Sequence, residues 1–69
     1  MGRNEDPVEI TVQILKIGDE AMLVTDGKTE AWVPYSLLDE DSELDDMADE
    51  GDQGLIVIPE WKAFDTGLI

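Results

Sequence analysis

The sequence predicts a mostly β fold of the α+β class, a small antiparallel sheet or incomplete barrel of about four strands. Three observations support this prediction. Apolar residues make up 42% of the 69 residues and lie in short runs separated by Gly, Pro and Asp, a pattern typical of strands joined by turns. An acidic crossover separates the last two apolar runs, and Pro59 and Gly67 bracket one short C-terminal helix.

The first strand is predicted from residues 8–14, where apolar and polar side chains alternate. The alternation changes phase at Leu15, which predicts a β-bulge near Ile14 and Leu15. Gly18 and Asp19 follow and predict a tight turn, since both residue types favour turn conformations.

Two more strands are predicted at residues 20–25 and 29–33. The first of them carries apolar residues on both faces and is expected to be central in the sheet. Asp26 and Gly27 predict a type I′ hairpin turn, which needs positive φ at both positions. Pro34 has no N–H to donate to a neighbouring strand and is expected to end the third strand.

A fourth strand and a helix are predicted near the C-terminus. Residues 54–58 are continuously apolar, which predicts a strand buried on both faces. Pro59 suits the first position of a helix at residues 60–66, and Gly67 suits its end. The two C-terminal apolar residues are expected to fold back onto the sheet.

Length and composition predict one domain at residues 8–69, preceded by a flexible N-terminus at residues 1–7. The formal net charge is −14, from 18 acidic and 4 basic residues. With so few basic residues, direct binding to nucleic acid is not expected. No apolar run approaches the length of a membrane span and no signal-peptide core follows Met1, which predicts a soluble, cytoplasmic protein without membrane contact.

The most distinctive feature is the acidic segment, defined here as residues 39–52 (DEDSELDDMADEGD), inserted between the third and fourth strands. It holds nine of the 18 acidic residues and no basic residue. Ser36 and Ser42 have capping-box spacing, and Leu44, Met47 and Ala48 lie at helical spacing, which favours a short amphipathic helix. Acidic residues near its end oppose a helix. Helix and open loop therefore remain equally supported.

Catalytic chemistry has little support in this sequence. The chain contains no His and no Cys, and neither of its two serines has a base nearby in sequence, so no catalytic residue and no cofactor is predicted. An EF-hand loop starting at Asp39 would supply acidic ligands at several positions. It would also place Leu44 where the loop needs Gly, so no metal site is predicted.

The aromatic residues have two interpretations, recognition patch or core. Trp32 and Trp61 are expected to fill the core, because a small domain needs their buried area. Tyr35 is expected to be exposed.

The acidic segment itself has two explanations. It is either a solvated loop that keeps a small apolar domain soluble, or a surface that imitates the charge of DNA. The second explanation gains support because −14 exceeds the net charge that solubility of a small domain requires.

Residues 8–38 read VEITVQILKIGDEAMLVTDGKTEAWVPYSLL, and they are followed by IPEW at residues 58–61 and GLI at residues 67–69. These residues, most of the chain outside the acidic segment, resemble small proteins of bacteriophages and mobile elements, in which a strand–hairpin–strand core carries a WVP-S segment and the chain ends in a PEW…GLI helix. The resemblance implies a phage or mobile-element origin and no particular mechanism. In size and acidity the chain also resembles phage inhibitors of host defence, of the anti-CRISPR and anti-restriction type, that imitate DNA. The residues that match the WVP-S and PEW…GLI segments of the phage and mobile-element proteins are Trp32, Val33, Pro34, Ser36, Pro59, Glu60, Trp61, Gly67, Leu68 and Ile69.

The leading hypothesis is a non-enzymatic phage-type protein that binds a basic surface of a nucleic-acid-handling host protein in the host cytoplasm. The alternative is a small structural or interaction module, with homodimerisation left open, in which the acidic segment is only a solvated loop. The predicted partner-binding residues are Asp39, Glu40, Asp41, Glu43, Asp45, Asp46, Asp49, Glu50, Asp52 and Tyr35.

Overall fold

The computed structural model describes residues 6–68 and contains a four-stranded antiparallel open sheet with a short C-terminal helix. The predicted fold class is therefore confirmed. The strands pair in the spatial order β3-β2-β1-β4. The elements are β1 (Pro7–Ile17), β2 (Ala21–Thr25), β3 (Glu30–Pro34), β4 (Gln53–Pro59) and α1 (Glu60–Thr66), with one 3₁₀ turn at Tyr35–Leu37.

The long strand β1 organises the sheet, because it pairs with both β2 and β4. Its burial alternates, and Ile10, Val12 and Ile14 lie on the buried face. The register with β2 shifts between Ile14 and Lys16, which confirms the predicted bulge. Pairing between β1 and β4 stops where Gln13 lies opposite Gln53, so the last residues of β1 extend beyond the start of β4.

The loop between β2 and β3 differs from the predicted type I′ turn. Gly27 has a φ of 103°, and no described residue other than glycine has positive φ. Asp26 therefore cannot occupy the first position of a type I′ turn, and this prediction is wrong. The carboxylate of Asp26 instead accepts hydrogen bonds from the N–H groups of Lys28 at 2.9 Å and Thr29 at 2.8 Å, which closes a four-residue loop.

The C-terminal elements agree with the sequence prediction. The central residues of β4 are buried on both faces, and α1 has the predicted bounds. Pro59 is extended and serves as the N-cap, one position before the first helical position that the sequence predicted for it. Gly67 adopts the left-handed conformation with a φ of 83° and ends the helix. Leu68 is buried against the core, as expected. Ile69 lies outside the described residues.

The predicted flexible N-terminus lies mostly outside the described residues. Within the described part, Pro7 begins β1 and pairs with Pro59. The carbonyl of Asp6 accepts a hydrogen bond of 2.9 Å from the N–H of Glu60. The start of β1 is thereby joined to the first turn of α1.

The core lies on one face of the sheet. The chain between β3 and β4 and the helix α1 cover that face. On the opposite face Glu30 and Trp32 of β3 and most residues of β1 are exposed, those of β2 are half-buried, and Val57 of β4 is buried. No helix within residues 6–68 is long and apolar enough to cross a membrane. The buried core residues are Ile10, Val12, Ile14, Met22, Val24, Val33, Leu44, Ile56, Ile58, Ala63 and Leu68, with Tyr35, Leu38 and Ala48 packed against them.

Two predictions about aromatic residues are wrong. Trp32 is 49% exposed, because its neighbour Val33 faces the core and successive strand residues face opposite sides. Tyr35 is half-buried and packs against the core, and its hydroxyl donates to the carbonyl of Gly18 at 2.8 Å. Trp61 is half-buried.

The hydrogen bonds in the β2–β3 loop lower the pKa of the Asp26 carboxyl group. Hydrogen bonds from the N–H groups of Lys28 and Thr29 favour the carboxylate, so the pKa of Asp26 lies below its ordinary value of 3.8. Asp26 therefore contributes stability that is present above pH 3.8 and is lost as the pH falls through the lower folded pKa. Carboxyl-detected NMR titration should give a midpoint below 3.8 for Asp26. A midpoint at or above that value would contradict the loop geometry.

Candidate functional site: the acidic segment

The acidic segment forms an open loop with turns and no helix, which decides between the two alternatives that the sequence left open. Its short polar side chains bond to nearby main-chain N–H groups. The carboxylate of Asp39 accepts from Asp41 at 3.0 Å, and the carboxylate of Asp45 accepts from Met47 at 2.9 Å. Such local hydrogen bonds compete with helix formation, which explains why the capping-box spacing did not produce a helix.

The start of the segment covers the outer edge of β4. The N–H of Asp39 donates to the carbonyl of Val57 at 2.8 Å, and the N–H of Glu43 donates to the carbonyl of Leu55 at 2.7 Å. Side chains complete this pairing. The N–H of Leu55 donates to the Glu43 carboxylate at 2.9 Å, and the N–H of Val57 donates to the Ser42 hydroxyl at 2.7 Å. Ser42 and Glu43 therefore satisfy main-chain groups that a fifth strand would otherwise pair.

The end of the segment bonds to the part of β1 that extends beyond β4. The N–H of Gly51 donates to the carbonyl of Ile14, and the N–H of Ile14 donates to the carbonyl of Asp52, both at 2.8 Å. The carboxylate of Glu50 accepts from the N–H of Ile17 at 3.3 Å. Gly51 has a φ of 92°, a conformation that favours glycine. The segment is thus fixed to the sheet at both ends.

The middle of the segment is held by apolar packing. Leu44 is only 5% exposed and belongs to the core, and Ala48 packs against it. A Cβ atom on Gly54 would lie 3.3 Å from Leu44 Cγ, so the absence of a side chain there leaves room for Leu44. Met47 is 84% exposed. Leu44 and Ala48 of the predicted apolar stripe therefore pack in or against the core, although the segment is not a helix. Met47 of the same stripe lies on the surface.

All nine carboxylates of the segment are exposed, and they fall into two groups. The first group accepts hydrogen bonds from main-chain N–H groups, and the second accepts none from any described residue. Within residues 6–68, the only ion pair joins Lys62 and Asp65, so no carboxylate of the segment is paired with a cation there. The bonded group is Asp39, Glu43, Asp45, Glu50 and Asp52, and the free group is Glu40, Asp41, Asp46 and Asp49.

Tyr35 lies close to part of the segment. An open cleft of about 230 Å³ is lined by Tyr35, by Asp45 and Asp46, and by the residues that begin the segment. In the described part of the chain, no group of three or more His, Cys, Asp or Glu side chains converges closely enough to hold a metal ion.

The sequence did not predict the hydrogen bonds that Ser42 and Glu43 form with β4. Nothing in the local sequence distinguishes Ser42 and Glu43, which bond to β4, from Ser36 and Glu40, which do not. The difference depends on where β4 lies after folding, and β4 is more than ten residues further along the chain.

Comparison of the chain with protein-family models, with curated proteins and with solved structures finds no match.

We expect Ser42→Ala to destabilise the fold by about 1–2 kcal/mol, because the N–H of Val57 would lose its partner in a half-buried position. The matched control is Ser36→Ala, which removes an exposed hydroxyl that makes no hydrogen bond with a described residue. Urea unfolding followed by Trp fluorescence measures both variants. Equal stability of the two variants would contradict a role for Ser42 at the β4 edge.

The two groups of carboxylates should behave differently when truncated. Glu43→Ala removes the acceptor for the N–H of Leu55 and should lower the unfolding free energy by about 0.5–1.5 kcal/mol. Asp46→Ala removes one unpaired charge from a strongly acidic chain and should leave stability unchanged or slightly higher. Thermal unfolding at low salt measures the stability of both variants. If Asp46→Ala destabilises the protein as much as Glu43→Ala does, the division into bonded and free carboxylates is wrong.

Proposed function

We propose that the protein is a non-enzymatic inhibitor of the bacteriophage type, which binds a basic nucleic-acid-binding surface of a host defence protein by imitating the charge of DNA. The observation that carries this proposal is that nine exposed carboxylates lie on a segment fixed to the sheet at both ends. The likeness of the WVP-S and PEW…GLI segments to phage and mobile-element proteins supports the proposed origin.

The charge density is comparable to that of DNA. B-DNA carries one negative charge per about 1.7 Å of its axis. A stretch of B-DNA as long as the longest dimension of this protein, 37 Å, therefore carries about 22 charges. The chain has 18 acidic residues against 4 basic ones. The resulting net charge of −14 is about two thirds of the charge on that stretch of DNA, so a basic groove that accommodates a short duplex would meet negative charge of the same order here.

Fixation of the segment favours binding over simple solubility. An unattached acidic loop would lose much conformational entropy when a partner orders it, and that loss reduces affinity. Here the hydrogen bonds to Ile14, Leu55 and Val57 already order the main chain in the free protein. The free carboxylates, among them Asp46 and Asp49, then have their main-chain positions set before the partner arrives. Opposite charge would also accelerate association in a salt-dependent manner.

The test neutralises the four free carboxylates together in the variant Glu40→Gln, Asp41→Asn, Asp46→Asn and Asp49→Asn. These side chains accept no hydrogen bond from described residues, so the fold should remain intact. We expect the variant to lose at least about tenfold in affinity, the equivalent of about 1.4 kcal/mol, for the basic partner. The partner is captured from host lysate by the tagged protein at low salt. Affinity is then measured with the purified partner.

The matched control variant removes the same number of charges away from both the acidic segment and the β3 edge: Asp6→Asn, Glu9→Gln, Glu60→Gln and Asp65→Asn, the last of which also removes the ion pair with Lys62. It should bind almost as the unchanged protein does. A short DNA duplex should displace the protein from its partner, since both would occupy the same basic surface. Equal effects of the two variants, or capture that DNA does not disturb, would count against the proposal.

A second candidate function is an interaction module that docks through apolar side chains. Trp32 is 49% exposed and Phe64 is 60% exposed, and such side chains are common in binding hot spots. This function predicts that Trp32→Ser together with Phe64→Ser abolishes partner capture, while the four-carboxylate variant retains it. The two candidate functions are therefore distinguished by the same binding assay.

A further inference from the structure

The sheet has two edges, and the chain covers only one of them. The acidic segment bonds to β4, whereas the main chain of β3 forms hydrogen bonds only with β2 among residues 6–68. An exposed strand edge carries unpaired N–H and C=O groups that can pair with another extended chain. β3 is therefore the edge on which a partner segment could add a strand.

The register of β2 and β3 shows which groups point outwards. The N–H of Tyr35 donates to the carbonyl of Glu20 at 3.0 Å, so the main-chain groups of Tyr35 face β2. Those of the preceding residue, Pro34, therefore face away from β2. In an antiparallel pair this orientation repeats every second residue. The N–H and C=O groups of Trp32 and Glu30 consequently point away from the sheet.

The side chains at this edge form a surface on the face opposite the core. Trp32 and Glu30 lie on the same face of β3, with Trp32 paired across the sheet to Leu23. The indole also lies beside Gly18, where an added Cβ would approach Trp32 Cζ3 to 3.3 Å. A strand added to β3 would place every second side chain above this face, within reach of the indole and of the Glu30 carboxylate.

The charges around β3 favour a basic occupant. Exposed charges lie in the β2–β3 loop, in β3 itself, and in the β1–β2 turn, which is bonded to the residue after β3. They are four acidic side chains and one lysine: Asp19, Glu20, Asp26, Glu30 and Lys28. A Lys or Arg side chain of the occupant could lie over the Trp32 indole, where a cation is attracted to the face of the ring. A second copy of the chain is a poorer occupant, because each copy carries a net charge of −14.

We propose that the free edge of β3 binds an extended basic peptide segment as a fifth strand. Its main chain pairs with Glu30 and Trp32, and its Lys or Arg side chains lie over the indole and beside the Glu30 carboxylate. This surface lies at the sheet edge opposite the acidic segment. It therefore does not depend on the DNA-like function proposed above.

The experiment uses a blocked peptide with the alternating sequence Lys-Thr-Lys-Val-Lys-Thr-Lys and follows amide hydrogen exchange by NMR at physiological salt. Without peptide, the amides of Glu30 and Trp32 should exchange rapidly, while those of Ala31 and Val33, which face β2, should exchange slowly. Saturating peptide should slow exchange at Glu30 and Trp32 by about tenfold or more. The same peptide with N-methyl groups on alternate residues cannot donate to the edge and should give no such protection.

Two variants test the contacts separately. Glu30→Pro removes an outward N–H without removing a hydrogen bond to β2, and it should weaken peptide binding about fivefold relative to Glu30→Gln, which loses only the charge. Trp32→Ala should weaken binding by a similar factor through loss of the cation–π contact. If Glu30→Pro does not fold, the Trp32 variant and the N-methylated peptide still test the proposal.

Several outcomes would overturn the proposal. Protection confined to residues 39–52 would assign the peptide to the acidic segment. Equal binding by the N-methylated peptide would exclude main-chain pairing at β3. Protection of Trp32 that rises with protein concentration in the absence of peptide, together with a dimer in sedimentation, would assign the edge to a second copy. The variant with four neutralised carboxylates in the acidic segment should keep full protection at Trp32, which separates failure of this proposal from failure of the DNA-like function.

Discussion

The pairing of the acidic segment with the outer edge of β4 is the interaction on which the rest of the structure depends. β4 carries the most continuously buried part of the sheet, and its outward main-chain groups at Leu55 and Val57 need partners. Ser42 and Glu43 supply those partners from a segment that forms no strand of its own. Each such hydrogen bond contributes only about 0.5–1.5 kcal/mol, but leaving a buried group unpaired costs more. The route of residues 39–52 follows from this requirement.

The same segment combines two opposing effects. Nine exposed carboxylates within residues 39–52 of a small domain repel one another, and this repulsion destabilises the compact state. Leu44 opposes the repulsion by entering the core, and Gly54 leaves room for it. Because the segment is held by main-chain hydrogen bonds and one apolar side chain, its free carboxylates are not needed for folding. They are available for binding, and their main-chain positions are already fixed.

The two edges of the sheet give the molecule two different surfaces. At β4 the chain covers its own edge and places a high negative charge there. At β3 the main-chain groups of Trp32 and Glu30 stay unpaired among the described residues, and the indole is half exposed. The basic partners that we propose for the two surfaces would be recognised by different physics: long-range charge at one edge, and main-chain pairing with a cation–π contact at the other.

The sequence by itself determined the local elements: the alternation in β1, the bulge after Ile14, and the bounds of α1, because these depend on side-chain period and on Pro and Gly. It also identified the acidic segment. Only the tertiary structure decided that the segment is a loop, and that Trp32 faces outwards and Tyr35 inwards. Those outcomes depend on which face of the sheet each strand residue occupies and on main-chain groups of residues distant in sequence, neither of which local patterns encode. The division of the nine carboxylates into bonded and free groups has the same cause, since Glu43 and Glu50 find their partners only after β4 and β1 are paired.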